Sequence, residues 1–462
     1  MKIVVVGSGG REHALAWRLA CGAGDEPRRD REVIVAPGNA GIARFFRCAA
    51  VSTVEDVVDL VERERAELVV VGPEAWLAQG LVDALHERSI PCFGPEAGAA
   101  RLETSKAFMK EVARDAGVPT ADFVVAQKVT DATAFLESRR GRGVVVKASG
   151  LCAGKGVVVC PDVDDGRRAL ADMLGEGTGV GPRFGEASRV VVVEDLLPGR
   201  ELSVFAVCDG HDAVILGAAR DHKRLLDGDR GPNTGGMGAV APLGADEGVS
   251  DAFLDDVRLR FFVPTLTELQ RRGTPFRGVL FAGLMVDDTG VASLLEYNAR
   301  LGDPETEALL FALDLDLAPI FRAIGAWQPL PDAAAATLHA SLPSTLQHVA
   351  NVAHGAPVRH GRHKAAAVVV AAPGYPEAPE KGLPLTGLMA AERVPDVKVF
   401  YAGVARGGFG LVVDGGRVLV VTGRGPTFDE ALDRAYRAVD KIGSLDTLQV
   451  RRDIGDSVRR AR

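Results

Sequence analysis

The sequence predicts an α/β protein: a parallel-sheet unit at the N-terminus, a larger mixed α+β body and a small C-terminal module. Three observations carry this. Strand and helix patterns alternate over residues 1 to about 100, which gives a parallel sheet with right-handed crossovers. Strands then follow one another with Gly-rich hairpins and only one long amphipathic helix between them, as in a mixed body. After about residue 330, Pro373, Pro376, Pro379 and Pro384 punctuate a shorter set of strands and one helix.

In order, 2–6, 32–36, 68–71 and 91–93 read as buried strands, and 13–20, 54–65 and 77–88 as helices. The charged segment 21–31 reads as a surface loop. A helix over 105–116 stops at Gly117 and Pro119, and strands follow at 123–126, 144–147, 157–160 and 190–194. The polar stretch 175–187 is a loop. Strands at 201–207, 213–218, 278–286 and around Glu296 complete the body, interrupted by one amphipathic helix over about 251–272. The last module takes strands at 363–371, 397–402 and 417–423 and a helix at 428–442; the charged tail 451–462 is expected to fray. There is no internal repeat.

The chain has 462 residues, 47% hydrophobic and 25% charged, an ordinary soluble composition. A net charge of −8 gives no electrostatic footprint for nucleic acid or an anionic membrane. No apolar run approaches a membrane span, and Met1 leads into a strand, not a signal peptide. Cys21, Cys48, Cys92, Cys152, Cys160 and Cys208 are scattered without a C-x-x-C, which suits reduced thiols in the cytoplasm.

The apolar run ending in Glu296-Tyr297-Asn298 is the sharpest chemical signal. On a strand Glu296 and Asn298 share a face, and a carboxylate beside an amide oxygen suits a hard divalent cation carrying phosphates; two solvated residues at a sheet edge are the plainer alternative. Gly7-Ser8-Gly9-Gly10 follows the first strand and opens a helix, an arrangement for an anion, although a tight turn explains it too. It does not read as dinucleotide binding: Glu12 stands at the third glycine position, and the second strand ends at Pro37-Gly38-Asn39 without a ribose-binding acid. With Gly72-Pro73-Glu74, these loops line one crevice at the carboxyl ends of adjacent strands; Glu74 either accepts from sugar hydroxyls or is a solvated carboxylate. Lys147 to Gly156 is a Gly-rich hairpin flap rather than a Walker loop, fit to close over a triphosphate. Lys147 should pair with phosphates and, on a buried strand, have a charged partner. The 194–201 connector offers backbone for an adenine edge and Glu201 for a ribose, or is only a charged connector. The loop carrying Asp221-His222-Lys223-Arg224 and Gly231-Pro232-Asn233-Thr234-Gly235-Gly236 suits a small anionic substrate. His222 beside two cations is disfavoured as an acid, and His360 and His363 among cations read as surface histidines, not metal ligands.

These segments, in this order and over essentially the whole chain, resemble the phosphoribosylamine–glycine ligase family of the ATP-grasp superfamily. The most specific matches are His222-Lys223-Arg224 with 231–238, and Asn298-Ala299-Arg300-Leu301-Gly302-Asp303-Pro304-Glu305. The resemblance implies a biotin-carboxylase-like, phosphoribosylamine-binding domain at 1–103, an ATP-grasp domain at 104–327 with a flap subdomain at about 120–195, a C-terminal domain at 328–446 and a charged tail at 447–462. By position it implies ATP contacts at Lys106, Lys147, Gly150, Gly154, Lys155, Gly156, Glu194 and Glu201, and Mg²⁺ or Mn²⁺ ligands at Glu296 and Asn298. Asp221 and Arg300 fall to the amino-acid substrate, with Asn233 and Thr234 beside it, and Gly9, Gly10, Arg11, Asn39 and Glu74 to the phosphoribosyl group. Lys147, Arg300 and Asp221 are then the catalytic set.

Departures stand at Thr104 (usually Gly), Ser149 (Asp) and Cys152 (Ala), and Leu284 occupies the place of a second acid in other ATP-grasp enzymes. The implied reaction joins glycine to 5-phosphoribosylamine through glycyl phosphate, with release of ADP and phosphate, by a cytoplasmic monomer or weak homodimer in purine synthesis. Rival readings are a related ligase or carboxylase with another acceptor, an NAD-dependent oxidoreductase and a nucleotide-sensing module without turnover.

Overall fold

A run of branched aliphatics makes Lys2–Gly7 (β1) a strand buried on both faces. It lies between β2 (Glu32–Pro37) and β4 (Leu68–Val71), with β3 (Arg47–Cys48) and β5 (Cys92–Phe93) outside, all parallel in the order β3-β2-β1-β4-β5. The order reverses between β1 and β4, so the loops after β1, β2 and β4 open on one crevice. The computed structural model describes residues 1–152, 155–176, 181–326, 363–408, 410–443 and 447–459. Gly154, His360 and the expected boundary at 327–328 lie outside them.

Helices α1 (Gly10–Cys21), α2 (Val54–Glu64), α3 (Glu74–Ala78), α4 (Leu81–His86) and α5 (Ala97–Thr104) complete the first unit. The single helix expected over 77–88 is two, because Gly80 takes a left-handed conformation between them. Every residue of α1 is buried, including Arg11, Glu12 and Arg18, because α1 is covered by sheet, helix and C-terminal module alike. Trp17 packs on Phe311 and Phe400, and the Tyr401 backbone N–H donates to His13 Nδ1 at 3.0 Å.

Ser105 caps α6 (Lys106–Asp115), accepting from the Phe108 N–H at 3.3 Å. β6 (Phe123–Ala126), α7 (Thr133–Ser138), β7 (Val144–Ala148), β8 (Val157–Cys160), α8 (Val163–Leu174) and β9 (Val191–Asp195) form an antiparallel four-stranded unit, ordered β6-β9-β7-β8. Its core, from Ala126 to Val193, is separate from the two larger cores that run through the rest of the molecule.

The body is an antiparallel sheet built from β10 (Arg200–Asp209), β11 (Ala213–Asp221), β14 (Gly238–Ala241), β15 (Arg277–Val286) and β16 (Ala292–Asn298). A small hairpin of β12 (Arg224–Leu226) and β13 (Arg230–Asn233), absent from the sequence reading, stands on the loop after β11. The helix expected over 251–272 is α9 (Asp251–Val257) and α10 (Val263–Arg271), joined by a wide turn at Arg258–Phe262. Pro264 lacks the N–H that would have bonded the Arg260 carbonyl. Helices α11 (Glu305–Ala312) and α12 (Leu317–Gly325) follow the last body strand.

The C-terminal strands β17 (Lys364–Ala371), β18 (Val397–Tyr401) and β21 (Arg417–Gly425) extend the same sheet, through β14 paired to β17. A hairpin of β19 (Val404–Gly407) and β20 (Gly410–Val413) stands apart. The expectation of a fraying tail is corrected over its described part. β22 (Gln449–Val450) pairs with β17, and Arg451, 1% exposed, bridges Asp229 at 2.8 Å and Asp453 at 2.7 Å. Charge alone suggested a loose end, but these charges are paired.

Candidate active site

The base of the flap hairpin and the Glu296 strand meet. Lys147, next to last in β7, donates to the Leu295 carbonyl of β16 at 3.3 Å and pairs with Glu194 Oε1 at 2.5 Å. Glu194 Oε2 lies 2.5 Å from Lys110 Nζ. The expected partner of Lys147 is therefore a buried carboxylate held between two lysines. The Glu194 side chain, 2% exposed, is engaged within the protein, so a nucleotide contact at this position falls to the backbone. Burial pushes the Lys110 ammonium below its ordinary value, while Glu194 opposes that. Ser149 ties the flap to α6: its hydroxyl accepts from the Ala107 N–H at 3.1 Å and its carbonyl from the Lys106 N–H at 2.8 Å. Gly150 packs on Ala187, and Gly156 on Cys152. Lys155 is exposed.

The ladder between β15 and β16 slips one residue at Leu295, so Glu296 faces Gly283 while Leu294 faces Leu284. After the bulge Glu296 and Asn298 share a half-buried face. Tyr297 points the other way, its hydroxyl donating to the Phe261 carbonyl at 2.8 Å. Burial alone would raise the Glu296 carboxyl, yet Lys106, Lys223, Lys147 and Arg300 hold it below its ordinary value. An ionised carboxylate and an amide oxygen within a ring of cations fit a hard divalent ion shared with phosphates. Among the described residues no group of three or more His, Cys, Asp or Glu forms a metal cage of its own.

Asp221 ends β11, across from Ala239 of β14, and Glu201, near the start of the neighbouring β10, pairs with Lys223. Burial, with the charges of Glu305 and Glu201 added, pushes the Asp221 carboxyl up to about 7 against the pull of Lys223. His222 drops to about 4; burial is the main cause and Arg451 the second, not the neighbouring Lys223 and Arg224 that its sequence suggested. Its Nε2 accepts from the Gly455 N–H. Thr234, expected at the substrate, spends its hydroxyl inside the loop, donating to the Lys223 carbonyl at 2.8 Å and accepting from the Gly236 N–H at 3.0 Å. Asn233 is exposed, across from Arg224.

In the crevice, Glu12 fills the space beneath Gly7 and Gly72, where any Cβ would overlap it, and accepts from the Gly9 N–H at 2.6 Å. Arg11 is buried, donating to Glu12 at 2.6 Å and the Leu301 carbonyl at 3.1 Å. Asn39 is likewise committed to the protein: its amide donates to the carbonyls of Ser8, Tyr401 and Ala402, and its oxygen accepts from the Gly41 and Ile42 N–H groups. The side chains of Arg11 and Asn39 thus shape the crevice, and Gly9, Gly10 and the loop backbone line it. Glu74 is not a solvated carboxylate; it pairs with Arg300 at 3.1 Å, and Arg300 reaches Glu103 at 2.6 Å. Arg300 therefore links the Glu296 strand to the crevice.

Lys110, Glu12 and Glu103 were missed. Lys110 stands one helical turn after Lys106, a spacing that signals a shared face, but the two acids have no such mark. Arg417 and Tyr375, from the far end of the chain, hold the Gly235 backbone and carry no local signal at all.

Family models cover nearly the whole described chain: phosphoribosylglycinamide synthetase N domain over 1–103, ATP-grasp (A) domain over 104–306 and C domain over 365–457. Among curated relatives, the phosphoribosylamine–glycine ligase of Caulobacter vibrioides is 43% identical over 458 residues, with 98% of each chain covered. That of Streptomyces coelicolor is 43% identical over 461 residues, also with 98% of each covered. A crystal structure of the Thermotoga maritima phosphoribosylamine–glycine ligase matches with a TM-score of 0.74 at 33% identity, covering 98% of this chain and 100% of that one. The biotin carboxylase domain of the Hydrogenobacter thermophilus 2-oxoglutarate carboxylase shares the fold at 16% identity, with a TM-score of 0.63 over 100% of this chain and 93% of that one. By sequence over its whole length and by fold, the chain belongs to the phosphoribosylglycinamide synthetase family.

Proposed function

We infer that this protein is an ATP-dependent ligase that joins glycine to 5-phosphoribosylamine in purine biosynthesis, releasing ADP and phosphate. Its family membership and full-length relatives support this. The observation that carries the chemistry is Arg300. It stands two residues beyond Asn298 and is paired to Glu74 and Glu103, so it joins the cation-ringed strand to the anion-suited crevice.

A carboxylate resists attack because its leaving group is oxide. A glycine carboxylate oxygen attacks the γ-phosphorus, an O–P bond forms, the β–γ bridge breaks and ADP leaves. The phosphoribosylamine nitrogen then attacks the acyl carbon of glycyl phosphate, the C–O bond to phosphorus breaks, and the nitrogen loses a proton. Lys106 and Lys147 bind the phosphates beneath the flap, whose backbone at Gly150, Lys155 and Gly156 covers them and excludes water. The backbone near Glu194 meets the adenine, and Glu201 the ribose. Glu296 and Asn298 would hold Mg²⁺ or Mn²⁺, which would neutralise phosphate charge. Arg300 and Asp221 grip the two ends of glycine, with Asn233 beside them. The Gly9–Gly10 turn offers the acceptor's phosphate the Gly10 N–H, the Gly9 N–H being held by Glu12, and Glu74, with Arg11 and Asn39 behind it, sets the crevice wall.

Domain limits at 103, 327 and 446 belong to the same reading. So does a monomer or weak homodimer in the cytoplasm, a compartment that six free cysteines support. No helix among the described residues is long and apolar enough to cross a membrane.

The test is ADP release with glycine and freshly generated phosphoribosylamine. Release should require both, with aminoimidazole ribonucleotide failing as the acceptor. The glycine-dependent release should drop by at least ~10²-fold in Glu296→Ala, the scale for removing a group that stabilises developing charge. ADP release indifferent to glycine would overturn the assignment.

A further inference from the structure

Glu307, in the first turn of α11, is 0% exposed, and among the described residues no hydrogen-bond donor reaches either of its carboxyl oxygens. It lies against the backbone of Gly10, at the start of α1: a Cβ placed there would sit 2.6 Å from Glu307 Oε1 and 3.2 Å from Val420 Cγ2 of β21. Two guanidiniums face it and both are committed elsewhere. Arg11 of α1 serves Glu12 and the Leu301 carbonyl. Arg417 of β21 serves the Gly235 carbonyl at 2.7 Å, the Asp303 carbonyl at 2.5 Å and the Asp303 carboxylate at 3.1 Å. Asp303, one turn before Glu307, adds a like charge. The remaining elements packed on α11 bring little charge toward it. In β11, Asp221 faces Glu305; β14 is Gly-Ala-Val-Ala; and in β17 the one charge, Lys364, is taken by Glu247.

A carboxylate cut off from water and from donors is the expensive form of this side chain, and a neutral carboxylic acid the cheaper one. Burial first, and Asp303 second, push the Glu307 carboxyl well above its ordinary value. We propose that Glu307 is a positioning residue that works as the neutral acid, holding the Gly9–Gly10 turn against α11 and leaving Arg11 and Arg417 to their present partners. Its ionisation draws those two arginines toward it, so the crevice wall and the Gly235 loop loosen as pH rises. The kinetic consequence rests on reading this crevice as the acceptor site; the protonation itself does not.

The test compares the wild type with Glu307→Gln, which keeps the shape and stays neutral, and with Glu307→Met, which keeps the volume without polar atoms. Infrared difference spectra at neutral pH should show the carbonyl stretch of one protonated carboxylic acid in the wild type that both variants lack. As pH rises, the wild-type KM for phosphoribosylamine should climb by up to tenfold per unit while that of Glu307→Gln stays flat, and the KM for ATP should move equally in both. If Glu307→Gln does not fold, Glu307→Met carries the same comparison. No lost acid band, or acceptor-KM profiles that superimpose, overturns the proposal. A chain without ligase activity would fail the functional reading instead, and the infrared comparison would still judge Glu307.

Discussion

Two carboxylates, Glu194 and Asp221, do opposite work in this protein. Glu194 sits between Lys110 and Lys147 and cannot be removed cheaply, because both ammonium groups would stay buried. Glu194→Gln should destabilise the protein by about 3–5 kcal/mol in chemical denaturation, the cost of breaking a buried pair from one side. Asp221 has the reverse character. Its folded value of about 7 lies above the unfolded value of 3.8, so the native state binds the extra proton between them. Its contribution to stability is therefore greatest below the unfolded value and is lost as pH rises through 7. Glycine binding should follow the opposite course: the charge that attracts an ammonium appears only as pH passes about 7. The glycine KM should fall across pH 6–8 by up to about tenfold per unit below the transition, and Asp221→Asn should flatten that profile.

At the scale of elements, the crevice depends on how closely β1, β4 and α1 approach. The Glu12 side chain occupies the room that a Cβ on Gly7 or Gly72 would need, and its carboxylate holds the Gly9 N–H. Gly72→Ala should cost about 1–3 kcal/mol through overpacking, and should raise the KM for phosphoribosylamine more than that for ATP, since it disturbs the crevice and not the flap. The flap unit has its own core, and meets the body through Lys147, Ser149 and the Thr120–Leu294 bridge. An element with few shared apolar contacts is the one free to open and close.

At the scale of the whole molecule, one sheet carries the Glu296 strand at one end and the C-terminal β21 and β18 near the other. The C-terminal module therefore reaches into the site rather than resting beside it. Arg451 pins the β12–β13 hairpin by bonding Asp229 and the Arg224 carbonyl, and Arg417 holds the Gly235 loop. Arg451→Ala should lower the melting temperature and raise the glycine KM severalfold, although residue 451 lies far along the chain from Asp221. A melting-temperature loss with an unchanged glycine KM would show that the hairpin does not depend on this anchor.

The sequence by itself determined the parallel N-terminal sheet, the flap hairpin and the shared face of Glu296 and Asn298. Each follows from local periodicity and from glycines at turns, and a chain of a few residues contains all of that information. Only the tertiary structure decided which polar groups were already spent. Asn39 and Arg11 read as free to meet a ligand, yet their partners lie at Ala402 and Leu301; Glu74 read as an acceptor for sugar hydroxyls or a solvated carboxylate, yet it pairs with Arg300. Such pairings depend on elements hundreds of residues apart packing into one core, and nothing in the spacing of either partner records the other. The tail shows the same limit: its charges suggested a loose end until the ion pairs of Arg451 gave them a place in the fold.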